Sequence, residues 1–356
     1  MAGALEGLTV LEFAGIGPGP FACMMLADHG ARVIRIDRPG NAERAGDADD
    51  NRDILNRNRE RIALDLKDPA AIAQIRALVR EADAVIEGYR PGVMERLGLG
   101  PDVLLADNPR LVYGRMTGWG QEGPMAPLAG HDINYIALSG ALHTYGAAGG
   151  KPQFPANAVG DFGGGGMMMA FAVMAAVFSV QRTGKGQVID CAMVDGAAIL
   201  SAMTWTMFNN GQWQDNRGIN LLDGGAPFYD TYETADGKYI SIGSIEPQFY
   251  ALLLERTGLK DDPLFAAQMD ASQWPSLKAK VAALIATRSR GEWCAIMGGA
   301  DLCFAPVLSL KEAPRHPHMA ARGTFIEADG KTMPAPAPRF MGTPAPAPVM
   351  ASKPLK

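Results

Sequence analysis

The chain has 356 residues, of which 47% are hydrophobic and 20% charged, and its formal net charge is −5. This length suffices for about two domains, and the composition is that of a globular protein, which argues against a disordered chain. The acidic balance argues against the broad basic face of a nucleic-acid-binding protein. The four cysteines form no Cys-x-x-Cys pair, so the sequence encodes no zinc or dithiol motif.

The sequence also lacks the usual targeting signals. Its first residues carry neither the positive region nor the long apolar stretch of a signal peptide, and its last residues are not the peroxisomal Ser-Lys-Leu ending. The longest apolar run, residues 167–180, is shorter than a membrane-spanning helix. We therefore expect a cytoplasmic protein that has no membrane partner.

The first two hundred residues alternate strand-like and helix-like segments. A strand-like run at residues 8–14 leads into a Gly/Pro turn at 15–20 and a helix-like stretch at 21–29. Further strand-like runs occur at residues 33–36, 62–66, 84–87, 111–116 and 188–190. Because strands joined through helices run parallel, this alternation predicts a parallel sheet with crossover helices. The polar segment 41–61 is interpreted as an exposed loop or a short helix.

The pattern changes in the second half. After a predicted buried helix at 167–180, two alternating strands at 229–234 and 239–243 flank the turn Asp236-Gly237, which is typical of a β-hairpin. The fold class is therefore α/β, with a Rossmann-like parallel-sheet large domain and a smaller α+β domain. We place the boundaries at 1–200 for the large domain, 201–224 for a linker, 225–320 for the small domain and 321–356 for a segment returning to the large domain.

The first βα turn raises the question of a dinucleotide. Gly15 and Gly17 begin a G-x-G-x-x-G pattern, but Pro20 stands where the third glycine belongs. Prolines in this turn also remove backbone N–H groups that would bind a pyrophosphate. Asp37 ends the second strand like a ribose acceptor, yet Arg38 follows at once and favours a phosphate group. A structural turn is therefore favoured over an NAD(P) site.

Three residues are candidates for acid–base chemistry. His131 lies in a polar loop before a helix-like stretch, and histidine exchanges a proton readily near neutral pH. Asp161 precedes the glycines at 163–166, which permit a close approach to the backbone. Glu246 lies between a strand and a helix. By themselves these residues also fit a surface histidine and two helix caps, and the glycines also fit close helix packing.

Seven short motifs occur together in one order. They are Gly15–Pro20, Arg35–Pro39, Leu64–Lys67, Glu87–Gly92, Gly130–Tyr135, Gly160–Gly164 and Gly224–Asp230. In these motifs, across essentially its whole length, the chain resembles the α-methylacyl-CoA racemases of the family III CoA-transferase superfamily.

The resemblance implies an interlocked homodimer with active sites shared between the large domain of one subunit and the small domain of the other. It implies inversion of 2-methylacyl-CoA thioesters at C2 through an enolate, without a metal or organic cofactor, since coenzyme A is part of the substrate. His131 then corresponds to the base for the S substrate, Asp161 to that for the R substrate, and Glu246 to a glutamate contacting the histidine. The family's CoA-binding positions correspond to Arg38, Leu64, Asp65, Leu66, Lys67, Gly88, Tyr89, Arg90, Arg96, Gly130, Asp132, Ile133, Asn134 and Tyr135.

The chemistry of these residues agrees with that implication. Inversion by proton transfer needs an acid and a base on opposite faces of the carbon, and burial of Asp161 would favour its protonated form. The glycine-rich helix start offers N–H donors for the enolate oxygen. The main alternative is a family III CoA transferase, in which Asp161 attacks as a nucleophile. An acyl-CoA-binding module and an NAD(P) oxidoreductase are further alternatives.

Overall fold

A computed structural model of the chain describes residues 3–39 and 53–350. The chain forms two compact units. The first contains the described residues of segments 1–141, 155–201 and 321–356, and the second contains 142–154 and 202–320. Of the segment 201–224, which the sequence analysis interprets as a linker, residues 202–224 are thus grouped with the second unit, as is the short segment 142–154.

A six-stranded parallel sheet forms the centre of the first unit. Its strands are β1 (Thr9–Phe13), β2 (Arg32–Asp37), β3 (Arg59–Ala63), β4 (Ala84–Glu87), β5 (Val112–Thr117) and β6 (Gln187–Ala192). They lie in the order β3-β2-β1-β4-β5-β6, which is the order of the Rossmann fold. The predicted parallel sheet is therefore confirmed. In this order the chain changes direction across the sheet between β1 and β4, where ligands of such sheets bind beyond the carboxyl ends of the strands.

Helices cover both faces of this sheet. Those of the first unit are α1 (Pro18–Asp28), α2 (Pro69–Val79), α3 (Val93–Arg96), α4 (Pro101–Asp107), α5 (Asp132–Leu138), a π-helical segment (Ala158–Met167), α6 (Met168–Thr183) and α7 (Met193–Leu200). Successive strand residues alternate between the faces: Val10 belongs to one buried apolar cluster with residues of α1 and α6. Leu11 belongs to another with residues of α2. The unit is a three-layer α/β/α structure.

The third strand corrects the sequence interpretation. It spans Arg59–Ala63 rather than 62–66, so the end of the polar segment 41–61 is strand; residues 40–52 lie outside the described part. Its charges are buried in ion pairs: Arg59 Nε donates to Glu12 Oε2 at 2.9 Å, and Arg61 Nε donates to Asp37 Oδ2 at 2.8 Å. Charges can be buried when they are paired, whereas isolated charges cannot. This segment can therefore form a buried strand although its polar sequence is typical of a loop.

The apolar helix is also longer than predicted. The π-helical segment and α6 form one helix of 26 residues, Ala158–Thr183, with a mean hydropathy of 1.7 over its most apolar window. By length and composition this helix is long enough to cross a membrane, which corrects the expectation drawn from residues 167–180. Core helices share these properties, and Met169, Val173 and Val180 are buried in the first unit's core.

The second unit contains the smaller antiparallel sheet. Strands β7 (Tyr229–Glu233), β8 (Tyr239–Gly243) and β9 (Phe304–Pro306) pair in that order. Its helices are α8 (Ala202–Asn209), α9 (Pro247–Thr257), α10 (Trp274–Ile285) and α11 (Arg290–Met297), and α12 (Pro317–Arg322) ends where the chain passes back to the first unit. Buried Phe228, Trp274 and Trp293 belong to one apolar core. The predicted hairpin and smaller α+β domain are confirmed.

The last described segment belongs to the first unit. Strands β10 (Phe325–Ala328) and β11 (Lys331–Pro334) form an antiparallel hairpin. Arg57 Nη1 donates to the Pro334 carbonyl at 2.7 Å, and Asn58 N–H donates to the Val349 carbonyl at 2.7 Å. These bonds connect the end of the chain to the residues that precede β3.

Candidate active site

A cavity of about 680 Å³ lies in the first unit, beyond the carboxyl ends of β1, β4 and β5. It is lined by the end of β1 and the turn after it (residues 13–20), by the end of β4 and the loop after it (86–91), and by residues 116–119, 126 and 128–131. Asp161 also lines it. The cavity therefore occupies the position where the strand order of a doubly wound sheet predicts a ligand.

His131 immediately precedes α5 and lines this cavity. It is the N-cap residue, with an extended backbone, and its N–H donates to Asn134 Oδ1 at 3.0 Å. Tyr135 holds the preceding loop, because its hydroxyl donates to the Gly130 carbonyl and its ring packs edge-on against Trp119 at 4.8 Å. A Cβ on Gly130 would lie 2.6 Å from that tyrosine ring. The glycine thus permits the packing that presents the exposed imidazole to the cavity.

Asp161 reaches the same cavity from the π-helical segment. Its N–H donates to Asp132 Oδ1 at 2.8 Å. Burial, and then the neighbouring charge of Asp132, raise the pKa of the Asp161 carboxyl, whereas Asn157 and His131 act to lower it. A Cβ on Gly17 would lie 3.3 Å from Asp161 Oδ2, so the glycine of the first turn leaves room beside this carboxyl. The structure therefore places an imidazole and a carboxyl group in one cavity.

The glycine run has a different role from the one expected. Gly163–Gly166 lie inside the helix, which begins at Ala158, so the expected donors at a glycine-rich helix start are not formed by this run. A Cβ on Gly164 would lie 2.7 Å from the Ala197 backbone nitrogen, and one on Gly166 would lie 2.6 Å from the Phe21 ring. These glycines allow the helix to pack closely against α7 and α1 and so fix the position of Asp161.

Several of the predicted CoA-binding residues meet at the cavity. Gly88, Tyr89 and Arg90 line it, together with Gly130 and Tyr135. The exposed Arg38 side chain lies over the Tyr89 ring, with its guanidinium carbon 5.6 Å from the ring centre. This cation–π contact leaves a positive charge next to the cavity.

Other predicted site residues lie outside the cavity lining. Leu64, Asp65, Leu66 and Lys67 follow β3, where Leu64 N–H donates to the Asp37 carbonyl and Leu66 is buried in the core. Arg96 lies on α3, with Nη1 3.2 Å from the position of a Cβ on Gly92. Asp132, Ile133 and Asn134 form the first turn of α5. Glu246 is the N-cap residue of α9 in the second unit.

The structure also accounts for Asp37, the candidate ribose acceptor. Its carboxylate is buried and accepts hydrogen bonds from Arg35 Nε at 3.1 Å and Arg61 Nε at 2.8 Å. Because both oxygens are engaged in ion pairs, the side chain is part of the buried charge network of the sheet. The first turn itself has Gly17 at φ +70° and Pro18 in the first helical turn.

Glu87 is a cavity residue that the sequence analysis did not select. It ends β4, is almost fully buried and lines the cavity. Burial raises its pKa to about 7, although the Tyr89 N–H and Arg115 act to lower it. One oxygen accepts the Tyr89 N–H at 2.7 Å and the other accepts from Arg115 Nε at 3.3 Å. The sequence did contain a signal for this residue, because the motif Glu87–Gly92 begins with a carboxyl group at the end of an apolar strand.

Within residues 3–39 and 53–350, no group of three or more His, Cys, Asp or Glu side chains is arranged to hold a metal ion.

Comparisons with known proteins agree with this architecture. Residues 5–355 match CoA-transferase family III. The chain is 48% identical to the human alpha-methylacyl-CoA racemase, over 96% of this chain and 88% of that protein. It is 46% identical to the mouse alpha-methylacyl-CoA racemase, over 96% of this chain and 87% of that protein. It is also 31% identical to the acetyl-CoA:oxalate CoA-transferase of Acetobacter aceti, over 93% of this chain and 88% of that protein.

Solved structures share the whole fold. A CaiB/BaiF family protein from Brucella suis has a TM-score of 0.83 at 26% identity, covering 100% of this chain and 97% of that one. A protein of Mycobacterium tuberculosis has a TM-score of 0.80 at 29% identity, covering 99% and 97%. The match of nearly the full sequence, supported by the shared fold, shows that the chain belongs to CoA-transferase family III.

Proposed function

We propose that this protein is an α-methylacyl-CoA racemase, which interconverts the 2R and 2S epimers of 2-methylacyl-CoA thioesters. The observation that carries the proposal is the shared cavity of His131 and Asp161. The identities of 48% and 46% to the human and mouse alpha-methylacyl-CoA racemases support it. A cavity with both groups meets the central requirement of inversion, which is an acid and a base that reach the same carbon.

The proposed reaction is a proton transfer at C2. One group removes the α-proton, and the C–H electron pair forms a C1–C2 double bond while the thioester oxygen becomes negative. The other group then delivers a proton to the opposite face of C2 as the carbonyl re-forms. His131 acts as the base for the S epimer and Asp161 for the R epimer. Because burial raises the pKa of Asp161, this carboxyl is suited to donating as well as accepting a proton. The chain supplies both groups, so the proposed reaction uses no metal or organic cofactor.

The coenzyme A part of the substrate is proposed to bind along the carboxyl edge of the sheet. Tyr89 and Arg90 line the cavity, and the Arg38 guanidinium lies over the Tyr89 ring. Guanidinium groups bind phosphates through charge-assisted hydrogen bonds. We also propose that three further segments contribute to CoA binding, namely Leu64–Lys67, Arg96 and Asp132–Asn134. With them the proposed site extends from the cavity along neighbouring strand ends.

The active unit is proposed to be a homodimer with shared active sites. Helix α6 exposes Phe171 and Phe178, whose relative accessibilities are 71% and 60%, and α7 exposes Ile199 and Leu200. Large apolar side chains exposed in this way are typical of an interface between subunits. In the proposed dimer the partner subunit's Glu246 contacts His131 and orients its imidazole. We also propose that the protein is located in the cytoplasm.

A CoA transferase is the second candidate, because the Acetobacter aceti acetyl-CoA:oxalate CoA-transferase is 31% identical to this chain and Asp161 is available as a nucleophile. Incubation of a 2S-methylacyl-CoA with the enzyme in D2O separates the two functions. A racemase incorporates deuterium at C2 and yields both epimers. Transfer of CoA to an added carboxylic acid, with C2 fully protonated, contradicts the racemase proposal.

A further inference from the structure

Asp132 connects the two segments that carry the proposed acid–base groups. It follows His131 directly and is only 7% exposed. Its Oδ1 accepts the backbone N–H of Asp161 at 2.8 Å. A Cβ on Gly160 would lie 2.5 Å from Oδ1, so a glycine at that position allows the carboxylate to reach the Asp161 backbone. The contact therefore depends on the two residues next to the acid–base groups in sequence, Asp132 beside His131 and Gly160 beside Asp161.

The charges around Asp161 come mainly from α5. His131, Asp132 and Tyr135 face it from that helix, and Asn157 faces it from its own segment. Asp132 Oδ2 is buried and has no hydrogen-bond partner among the described residues. A buried negative charge with little solvation acts strongly on a neighbouring carboxyl group. Its effect opposes that of His131, which favours the ionised form of Asp161.

We propose that Asp132 is a positioning residue for Asp161: its buried carboxylate holds the Asp161 backbone in place through the N–H of that residue, and its negative charge lies beside the Asp161 carboxyl. This inference rests on the proposed racemase function and deepens it. Asp132 itself moves no proton and contacts no reacting atom. Its role is to make one carboxyl group serve as the base for one epimer and the acid for the other.

The consequence is a defined pH dependence. In the proposed mechanism the active enzyme carries one proton, on either His131 or Asp161. On the acidic side, kcat/KM falls when a second proton binds and Asp161 is protonated. On the basic side, kcat/KM falls when the single proton is lost. Removing the Asp132 charge lowers the pKa of Asp161, so the acidic limb moves to lower pH. A carboxylate with a lower pKa is also a weaker base, and the plateau rate therefore falls.

The test compares Asp132→Asn, Asp132→Ala and a matched control. The asparagine variant keeps an oxygen for the Asp161 N–H and removes the charge, whereas the alanine variant removes both. Asp190→Asn is the control, because Asp190 Oδ2 accepts the Gln121 N–H at 2.9 Å and does not line the cavity. We expect Asp132→Asn to shift the acidic limb down by about one pH unit and lower the plateau by up to about tenfold. Asp132→Ala shifts the limb equally and lowers the plateau further, and the control matches the wild type.

A direct titration separates this inference from the proposed function. With carbon-13 in the aspartate carboxyl groups, the Asp161 resonance is identified as the one missing from Asp161→Asn. Its midpoint should fall by about one pH unit in Asp132→Asn. An unchanged midpoint and acidic limb in a folded variant overturn the role of Asp132, even if the wild type racemises. A shifted midpoint in an enzyme that exchanges no α-proton supports the role of Asp132 and rejects the racemase proposal.

Discussion

Gly160→Ala is predicted to displace Asp132 and to weaken both stability and turnover. The new Cβ would lie 2.5 Å from Asp132 Oδ1 and 3.2 Å from Ile136 Cγ2. Moving the carboxylate removes the partner of the Asp161 N–H, which costs about 1–3 kcal/mol. Residual crowding adds about 1 kcal/mol, and the helix preference of alanine over glycine returns about 1 kcal/mol. The expected loss is therefore about 2 kcal/mol.

Urea unfolding followed by circular dichroism measures this loss, and Gly291→Ala is the matched control. Gly291 lies in α11 with its nearest neighbour 4.0 Å from the added Cβ, so that variant should be as stable as the wild type or more stable. A double-mutant cycle isolates the contact. In Asp132→Ala the Asp161 N–H bond is already lost, and Gly160→Ala should then cost about 2 kcal/mol less. Additive effects, or a Gly160→Ala protein as stable as the wild type, contradict the assigned contact.

Three further predictions concern the cavity and the apolar face. Burial raises the pKa of Glu87 to about 7, from an ordinary value of 4.5, so the protonated side chain makes its full contribution to folding stability below pH 4.5. The folded state then loses on the order of 3 kcal/mol of stability as pH rises from there through 7. Glu87→Gln should lose this dependence in unfolding titrations between pH 4.5 and 8, and an identical profile contradicts the burial argument. Arg38→Met should raise the KM for CoA thioesters about tenfold, but not for N-acetylcysteamine thioesters, which lack phosphates; equal effects on both exclude a phosphate contact. Phe171→Glu should dissociate the proposed dimer in sedimentation experiments while Phe171→Tyr retains it, and an intact Phe171→Glu dimer places the interface elsewhere.

The parallel sheet could be predicted because its strands follow simple rules. Apolar runs such as residues 84–87 recur between helix-like segments, and both faces of such strands are buried. The third strand did not follow these rules, because its Arg59 and Arg61 are buried in ion pairs with Glu12 and Asp37. The pairing partners lie far away in sequence, so the local pattern indicates that these charges are solvent-exposed.

The candidate site was predictable to a similar extent. His131 and Asp161 are residue types that carry proton-transfer chemistry, and the structure brings them to one cavity. The glycine run was assigned to oxyanion donors, whereas Gly164 and Gly166 accommodate α7 and α1. Close approach of helices requires the packed structure and is invisible in spacing alone. The same holds for Glu87, whose pKa depends on burial that only the folded unit creates.

The most direct test of the two-group arrangement follows α-proton exchange in D2O for each epimer separately. In Asp161→Ala, His131 remains, so the 2S thioester should exchange its α-proton while the 2R thioester does not. In His131→Ala the preference should reverse, and neither variant should racemise at an appreciable fraction of the wild-type rate. Exchange of both epimers by either variant, or racemisation near the wild-type rate, contradicts the assignment of one group to each face of C2.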